Sequence, residues 1–414
     1  MTLSTTIGEL QDQGAIRVGD GYRTKRSEHG KPGYRILRVG DIKSGQIIAE
    51  GDDFVGSKYI DAIGEKLSRP GDVLLTTKGT VGRVAIVPPD LEQMVYSPQL
   101  CYFRVKHGDV IDARYLSYWF QSSEFRRQAL HRANNTDMAP YINLRDIRSL
   151  RLTLPTLPTQ RAIAEVLGTL DDKIAANNDT ASIAADLAAA LFQSAVEAPA
   201  TTVRSSIRAL STEGMLTYGD GYRTKRAEHG QPGMQIVRAG DIRDGRLIPG
   251  GDDFVRSDYS DKVGPKTCHP GDIVLTTKGT VGRVATVQDG ISLSVYSPQL
   301  CYFRVAEDHG WLQPWLAEWF RSADRIRQTD IAMHKSDMAP YVNLHDIGSL
   351  QVPIPATGSQ EPVIEQLRSL QRLGHVIARE NEVLADTRDE LLPLLMSGKL
   401  RVKDAEKKVE AIAQ

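Results

Sequence analysis

The chain repeats itself. GDGYRTKR begins at Gly19 and again at Gly219, PGD at Pro70 and Pro270, LTTKGTVGRVA at Leu75 and Leu275, VYSPQLCYFRV at Val95 and Val295, and DMAPY at Asp137 and Asp337. The offset is 200 residues throughout, so no net insertion separates the copies. Roughly half of the positions between Gly19 and Pro155 are identical in the second copy, and the match fades around 106–118 and 129–136, which reads as loops or exposed faces. A unit this long is a duplicated domain and not a solenoid turn, which runs to about 20–50 residues. Whatever one copy folds into, the other must fold into as well, and 414 residues are enough for two or three cores.

Each copy opens with a short helix candidate, Ser4–Gln13 or Ser205–Thr212. Strand-like runs divided by Gly and Pro follow: YRILRVGDI, PGDVLLTT, GRVAIVPP and QLCYFRV, where β-branched and aromatic residues alternate with polar ones. ARYLSYWFQSSEFRRQAL and its counterpart QPWLAEWFRSADRIRQT read as helices. The expectation is a pair of α+β domains with antiparallel or mixed sheets.

A long helix follows each domain. In the second, Val363, Leu370, Ile377, Leu384 and Leu391 fall seven apart, with Leu367 and Leu395 filling the four-residue steps, which is a coiled-coil stripe. Subtracting the offset gives Ile163, Leu170, Asn177, Ala184 and Leu191, then Leu167, Ile174, Ala181, Ala188 and Ala195, so the first helix keeps the register with smaller residues. Small faces let backbones approach, and larger side chains of a partner helix fill the groove. Asn177 and Asn381 interrupt the seam, a cost that fixes register. Two packings stay open: the helices pair with each other, or each lies on its own domain.

Composition sets outer bounds. With 25% charged and 41% hydrophobic residues the chain is globular. MTLSTTIGELQDQG has neither a basic n-region nor an apolar h-region, and no apolar run approaches a membrane span, so the sequence points to a cytoplasmic protein without membrane contact. Cys101, Cys268 and Cys301 are odd in number and far apart, which suits reduced thiols and neither a disulfide framework nor a zinc cluster. Cys101 and Cys301, flanked by Leu, Tyr and Phe, read as buried small residues. The net charge of −1 argues mildly against nucleic acid as a partner. Local clustering answers this, since GYRTKRSEHGKPGYRILR (21–38) and GYRTKRAEHGQPGMQIVR (221–238) concentrate basic residues. A near-neutral reader would lean on partner subunits for phosphate contacts.

LPTLPTQRAIAEVLGTLDDKIAANN (154–178), TRDELLPLLMSGKLRV (387–402) and PGDVLLTTKGTVGRVAIV, in the order domain, helix, domain, helix, resemble the DNA-specificity (S) subunits of type I restriction-modification systems. The resemblance covers nearly the whole chain. It implies two target-recognition domains, 1–155 and 201–355, separated and joined by long helices at 156–200 and 356–403 that pair as an antiparallel coiled coil, with a polar tail at 404–414. It further implies a pseudo-twofold molecule that reads a bipartite double-stranded DNA site and docks methyltransferase (M) subunits, two by symmetry, and restriction (R) subunits in the full complex. No cofactor, metal or catalytic residue is expected of such a subunit. The second helix opens as PIPATGSQEPVIEQL, departing from the family pattern after Gln360.

Four duplicated motifs are candidate DNA contacts. GYRTKR supplies Tyr22, Arg23, Thr24, Lys25 and Arg26, and Tyr222, Arg223, Thr224, Lys225 and Arg226. Arginine can take guanine O6 and N7 bidentately, whereas lysine acts as a point charge on phosphate. The bland alternative is a solvated charged turn. TTKGTVGR offers Lys78, Thr80, Lys278 and Thr280 between glycines that permit close backbone approach, or is simply a hairpin. It is not a phosphate loop, because Lys78 precedes Gly79. In YSPQL, Gln99 and Gln299 match the adenine edge, or pair with loop backbone. DMAPYINL and DMAPYVNL add Tyr141, Asn143, Tyr341 and Asn343.

Duplication also tests for catalysis. A nuclease reading built on Asp61, Glu65 and Lys66 meets Pro265 in place of Glu65 in the second copy. VPPD at 87–90 is not the Asn/Asp/Ser-Pro-Pro-aromatic motif of an adenine methyltransferase, and no Ser-His-Asp, His-rich or Cys-rich group stands out. The alternatives to a DNA reader are a nuclease-like enzyme with an unrecognised site and a protein-only scaffold built on the helices.

Overall fold

The computed structural model describes residues 3–43, 45–133, 141–198, 202–333, 341–356 and 361–412. The DMAP segments (137–140 and 337–340), Asn135, Lys335 and Gln360 lie outside the described residues. The chain divides into two compact units, Met1–Ala176 with Asn381–Gln414, and Asn177–Glu380. Each unit therefore holds one copy of the repeat and a part of each long helix, Leu157–Glu197 and Glu361–Met396.

In the first unit, strand Leu3–Thr6 pairs antiparallel with Arg151–Leu154 and leads into helix Ile7–Asp12. The expected helix Ser4–Gln13 thus starts three residues late. Thr6 sets the boundary: its hydroxyl accepts from Glu9 N at 3.1 Å while the Glu9 carboxylate accepts from Thr6 N at 2.8 Å, a reciprocal cap that leaves the preceding residues to the strand. The second unit does the same, with strand Thr202–Ser206 before helix Ile207–Thr212 and the Ser206 hydroxyl accepting from Ala209 N at 3.0 Å.

The main sheet of the first unit runs in the order Ile16–Asp20, Leu100–Val105, Val73–Thr76, Val84–Ile86, all antiparallel. Strand Leu100–Val105 explains how it is held. Cys101 and Phe103 face a core with Trp119, Phe120 and Phe125, while Leu100 and Tyr102 face a second core with Leu37, Leu74 and Tyr96. A two-residue side-chain period buried on both faces gives the continuous apolar run LCYF. A smaller mixed sheet orders Phe54–Gly56, Gly33–Leu37 and Met94–Tyr96, the last pair parallel. The second unit repeats this plan, and its main sheet gains Arg246–Leu247 and Ile242–Arg243 at one edge.

The stretches expected as helices after these sheets are each divided in two, Ala113–Trp119 and Ser123–Ala133, then Leu312–Arg321 and Ala323–Met333. A serine makes the break: Ser122 Oγ accepts from Phe125 N at 3.2 Å and Ser322 Oγ from Arg325 N at 3.3 Å, each capping the second segment.

Both open packings of the long helices are realised. In the first unit, Ile163, Leu167 and Leu170 share a core with Leu384, Leu391 and Leu395 as well as with Leu152 and Leu154 of the domain, and Arg388 pairs with Asp171 at 2.8 Å. In the second, Ala188, Phe192 and Ala195 share a core with Ile364 and Leu367, and Phe192 meets Trp315 edge-on at 4.8 Å. The start of one helix packs on the end of the other, which makes the pair antiparallel. Asn177 is buried in the seam and its amide donates to Glu380 at 2.8 Å. The segment from 404, expected as a polar tail, is instead part of helix Val402–Ile412, whose Ala405 and Val409 join the core of the first unit.

Candidate nucleic-acid interface

The four duplicated motifs, spread over more than a hundred residues, are joined in each unit, the basic loop and the hairpin to YSPQL and the last motif to the hairpin. Gly21 N donates to Leu100 O at 3.1 Å and Tyr22 N to Tyr96 O at 2.7 Å, tying on the basic loop. Thr77 N and Oγ1 both donate to Gln99 O, at 2.9 and 3.1 Å, tying on the hairpin Thr76–Arg83. Ile142 N donates to Thr77 O at 2.9 Å and Lys78 bridges Tyr141, which brings in the fourth motif. The second unit reproduces every link: Gly221 to Leu300, Tyr222 to Tyr296, Thr277 to Gln299, Val342 to Thr277, and Lys278 beside Tyr341. Gly21 is obligatory here, since a Cβ on it would lie 1.9 Å from Ser97 O.

A second set of residues shapes the basic loop. Glu28 and Glu228 are buried and close a tight turn by accepting from Lys25 N and Lys225 N at 2.9 Å, with the Tyr22 and Tyr222 hydroxyls donating to the same carboxylates at 3.1 Å. Burial and then the neighbouring carboxylate hold both phenols above their ordinary pKa. The Lys225 backbone bond, followed by an ion pair with Lys262, pulls the Glu228 carboxyl down to about 2. Position 62 is alanine, so the first loop lacks that lysine. At the loop's base Lys66 Nζ donates to Gly21 O at 3.0 Å and pairs with Asp20, and Lys266 does the same to Gly221 and Asp220.

This framework leaves Arg23, Lys25 and Arg26, and likewise Arg223, Lys225 and Arg226, exposed, their side chains without a protein hydrogen bond or ion pair among the described residues. Thr24 and Thr224 are half-buried between them. In the hairpin, Thr80, Lys278 and Thr280 are exposed and Lys78 half-buried, with Gly79 (φ 79°) making the turn. The Gln99 and Gln299 side chains are exposed while their carbonyls serve the framework. Tyr141 is half-buried and Tyr341 exposed. Two candidate types carry structural duties. The Tyr22 and Tyr222 rings pack in small apolar clusters with Val55 and Val95, or Val255 and Val295. Asn143 and Asn343 cap the next helix, accepting from Asp146 N at 2.8 Å and Asp346 N at 2.9 Å.

Glu28 and Glu228 were not singled out from the sequence, and Lys66 was weighed only beside a metal-ligand pair, although both positions are identical between the copies. Glu65, weighed as a metal ligand, instead pairs with Arg104 at 2.7 Å, and Arg104 takes both oxygens of buried Asp72 at 2.7 Å. Among the described residues no helix is long and apolar enough to cross a membrane.

The arrangement suits recognition: exposed cations and amides presented on a backbone frame fixed by buried groups. Comparison with known proteins gives the same direction. The type I restriction modification DNA specificity domain matches residues 6–183, and the 200-residue repeat carries its pattern into the second half. Two specificity subunits of Methanocaldococcus jannaschii type I restriction enzymes are similar: MjaVIII, 21% identical over 69% of this chain and 71% of its own, and MjaX, 20% identical over 96% of both. In fold the chain resembles the type I restriction-modification S subunit from M. genitalium, with a TM-score of 0.57 at 15% identity over 95% of this chain and 96% of that one. Matching domain, duplicated plan, paired helices and similar relatives agree: residues 6–183 match the type I restriction modification DNA specificity domain, and the chain is similar over nearly its whole length to a type I specificity subunit.

Proposed function

We propose that residues 1–155 and 201–355 are target-recognition domains, each reading one half of a bipartite DNA site, and that the helices at 156–200 and 356–403 form the spacer on which methyltransferase subunits, and restriction subunits in the full complex, are positioned. The observation that carries this reading is that the same four polar motifs are joined by the same backbone links in both copies. Arg23, Lys25 and Arg26 and their counterparts are the phosphate and guanine contacts, with Lys78, Lys278, Thr80 and Thr280 from the hairpin and Gln99 and Gln299 as amide readers. Because the two sets are nearly identical and the helix pair is antiparallel, the half-sites are near-identical and oppositely directed. The target is a near-palindrome interrupted by unread base pairs.

With a net charge of −1 the chain alone binds DNA weakly, and the methyltransferase supplies much of the phosphate contact. Titrating target duplex with the chain alone and with its co-purified methyltransferase tests this. Sequence-specific binding that needs the partner is expected; equally tight specific binding by the chain alone, or none in either state, contradicts it. In the complex, Arg23→Ala and Arg223→Ala should weaken binding to similar extents. Loss of a phosphate contact reduces the salt slope by about one, whereas loss of a base contact costs about 1–3 kcal/mol and relaxes specificity at one position.

A further inference from the structure

The two domains differ at one buried position in a way that alters chemistry. In the first, Phe125 is 1% exposed and packs on Trp119 and Phe120, at 5.6 and 5.2 Å between ring centres. Its counterpart in the second is Arg325, only 4% exposed. The Arg325 guanidinium donates from Nε to Phe320 O at 2.6 Å and from Nη2 to Gly282 O at 3.2 Å. No carboxylate lies within hydrogen-bonding distance of it among the described residues. Burial pulls its pKa down to about 10, against the more distant attraction of Asp330. Two carbonyl dipoles are thin compensation for a desolvated charge.

That guanidinium borders an open cavity of about 370 Å³ lined by Asp244, Gly245, Gly282, Val284, Arg321 and Arg325. Nη1 faces the backbone there, since a Cβ on Gly282 would lie 3.4 Å from it. Arg321 brings a second guanidinium, shared with Glu318 at 2.9 Å. Asp244 is the opposing charge on the wall.

We propose that this cavity is an anion site, built to take a phosphate group on Arg325 and Arg321, which the second domain has and the first, with Phe125 in that place, lacks. A bound phosphate oxygen would accept from Arg325 Nη1 and supply a counter-charge that no carboxylate among the described residues brings within hydrogen-bonding distance. The group belongs either to the DNA backbone near the hairpin Thr276–Arg283 or to a small phosphate-bearing molecule.

The test is ³¹P line broadening of inorganic phosphate titrated into the full chain at constant ionic strength. The wild type should broaden the signal saturably, and Arg325→Phe, which installs the residue of the first domain, should abolish that component. Asp244→Asn should tighten phosphate severalfold, because it removes the opposing charge while asparagine tolerates the left-handed backbone at φ 49°. If Arg325→Phe fails to fold, Asp244→Asn decides alone. Broadening that persists undiminished in Arg325→Phe, or an affinity that Asp244→Asn leaves unchanged, overturns the proposal. Excess duplex identifies the source: displacement of phosphate marks a DNA backbone phosphate, and retention marks a small ligand. The site does not depend on the half-site reading, so either can fail without the other.

Discussion

Asp72 is 1% exposed and gives both carboxylate oxygens to Arg104, with the Tyr96 hydroxyl donating at 2.6 Å, so removing one charge leaves the other dry. Arg104→Leu should therefore cost about 3–5 kcal/mol in denaturant unfolding. Glu65→Pro, which copies the second domain, loses partly exposed ion pairs with Arg17, Arg69 and Arg104 and should cost less, about 1 kcal/mol. Glu228 gives a pH prediction with a definite sign. Its folded pKa of about 2 lies below the ordinary 4.5, so its contribution is complete above about 4.5 and is lost as pH falls toward about 2. Thermal melts across that window should lose a component in the wild type that Glu228→Gln lacks. At this scale the sequence was half legible. The exposed cations of GYRTKR could be named from composition, but Glu28 and Lys66, which fix their frame, are ordinary charged residues until their partners at Lys25 N and Gly21 O are seen.

The heptad stripe was the most legible element. Leu167, Leu170, Leu384 and Leu391 are all buried where the spacing placed them, because burial along a helix pair follows a fixed period. Leu167→Ala and Leu391→Ala should each cost about 2–5 kcal/mol. Ile183→Ala, on the same helix but 68% exposed, should stay within about 0.5 kcal/mol in the same unfolding experiment. Boundaries were less legible. Ser4–Thr6 looks helical in isolation, yet pairing with Arg151–Leu154 takes those residues into a strand, and that partner lies far along the chain. Ser122 and Ser322 cut what periodicity joins, because a side-chain cap outweighs a continuing apolar pattern. The helix Val402–Ile412 is mostly charged, and its two buried contacts, Ala405 and Val409, are too few to signal it.

The duplication governs the whole molecule. Helices of 41 and 36 residues span about 60 and 54 Å, more than the roughly 34–36 Å turn that separates adjacent half-sites on DNA. If each copy reads one half-site as proposed, two near-copies of one reader predict halves that are nearly the same. Differences such as Tyr34 against Met234 and Arg35 against Gln235 leave room for one unlike base pair. Exchanging the two recognition domains should accordingly leave the methylated motif almost unchanged. The most direct measurement is the map of methylated adenines in a genome carrying this chain with its methyltransferase. A bipartite motif with two near-identical, oppositely directed halves separated by unspecified base pairs is the predicted result; two unrelated half-sites, or one uninterrupted motif, would contradict the account.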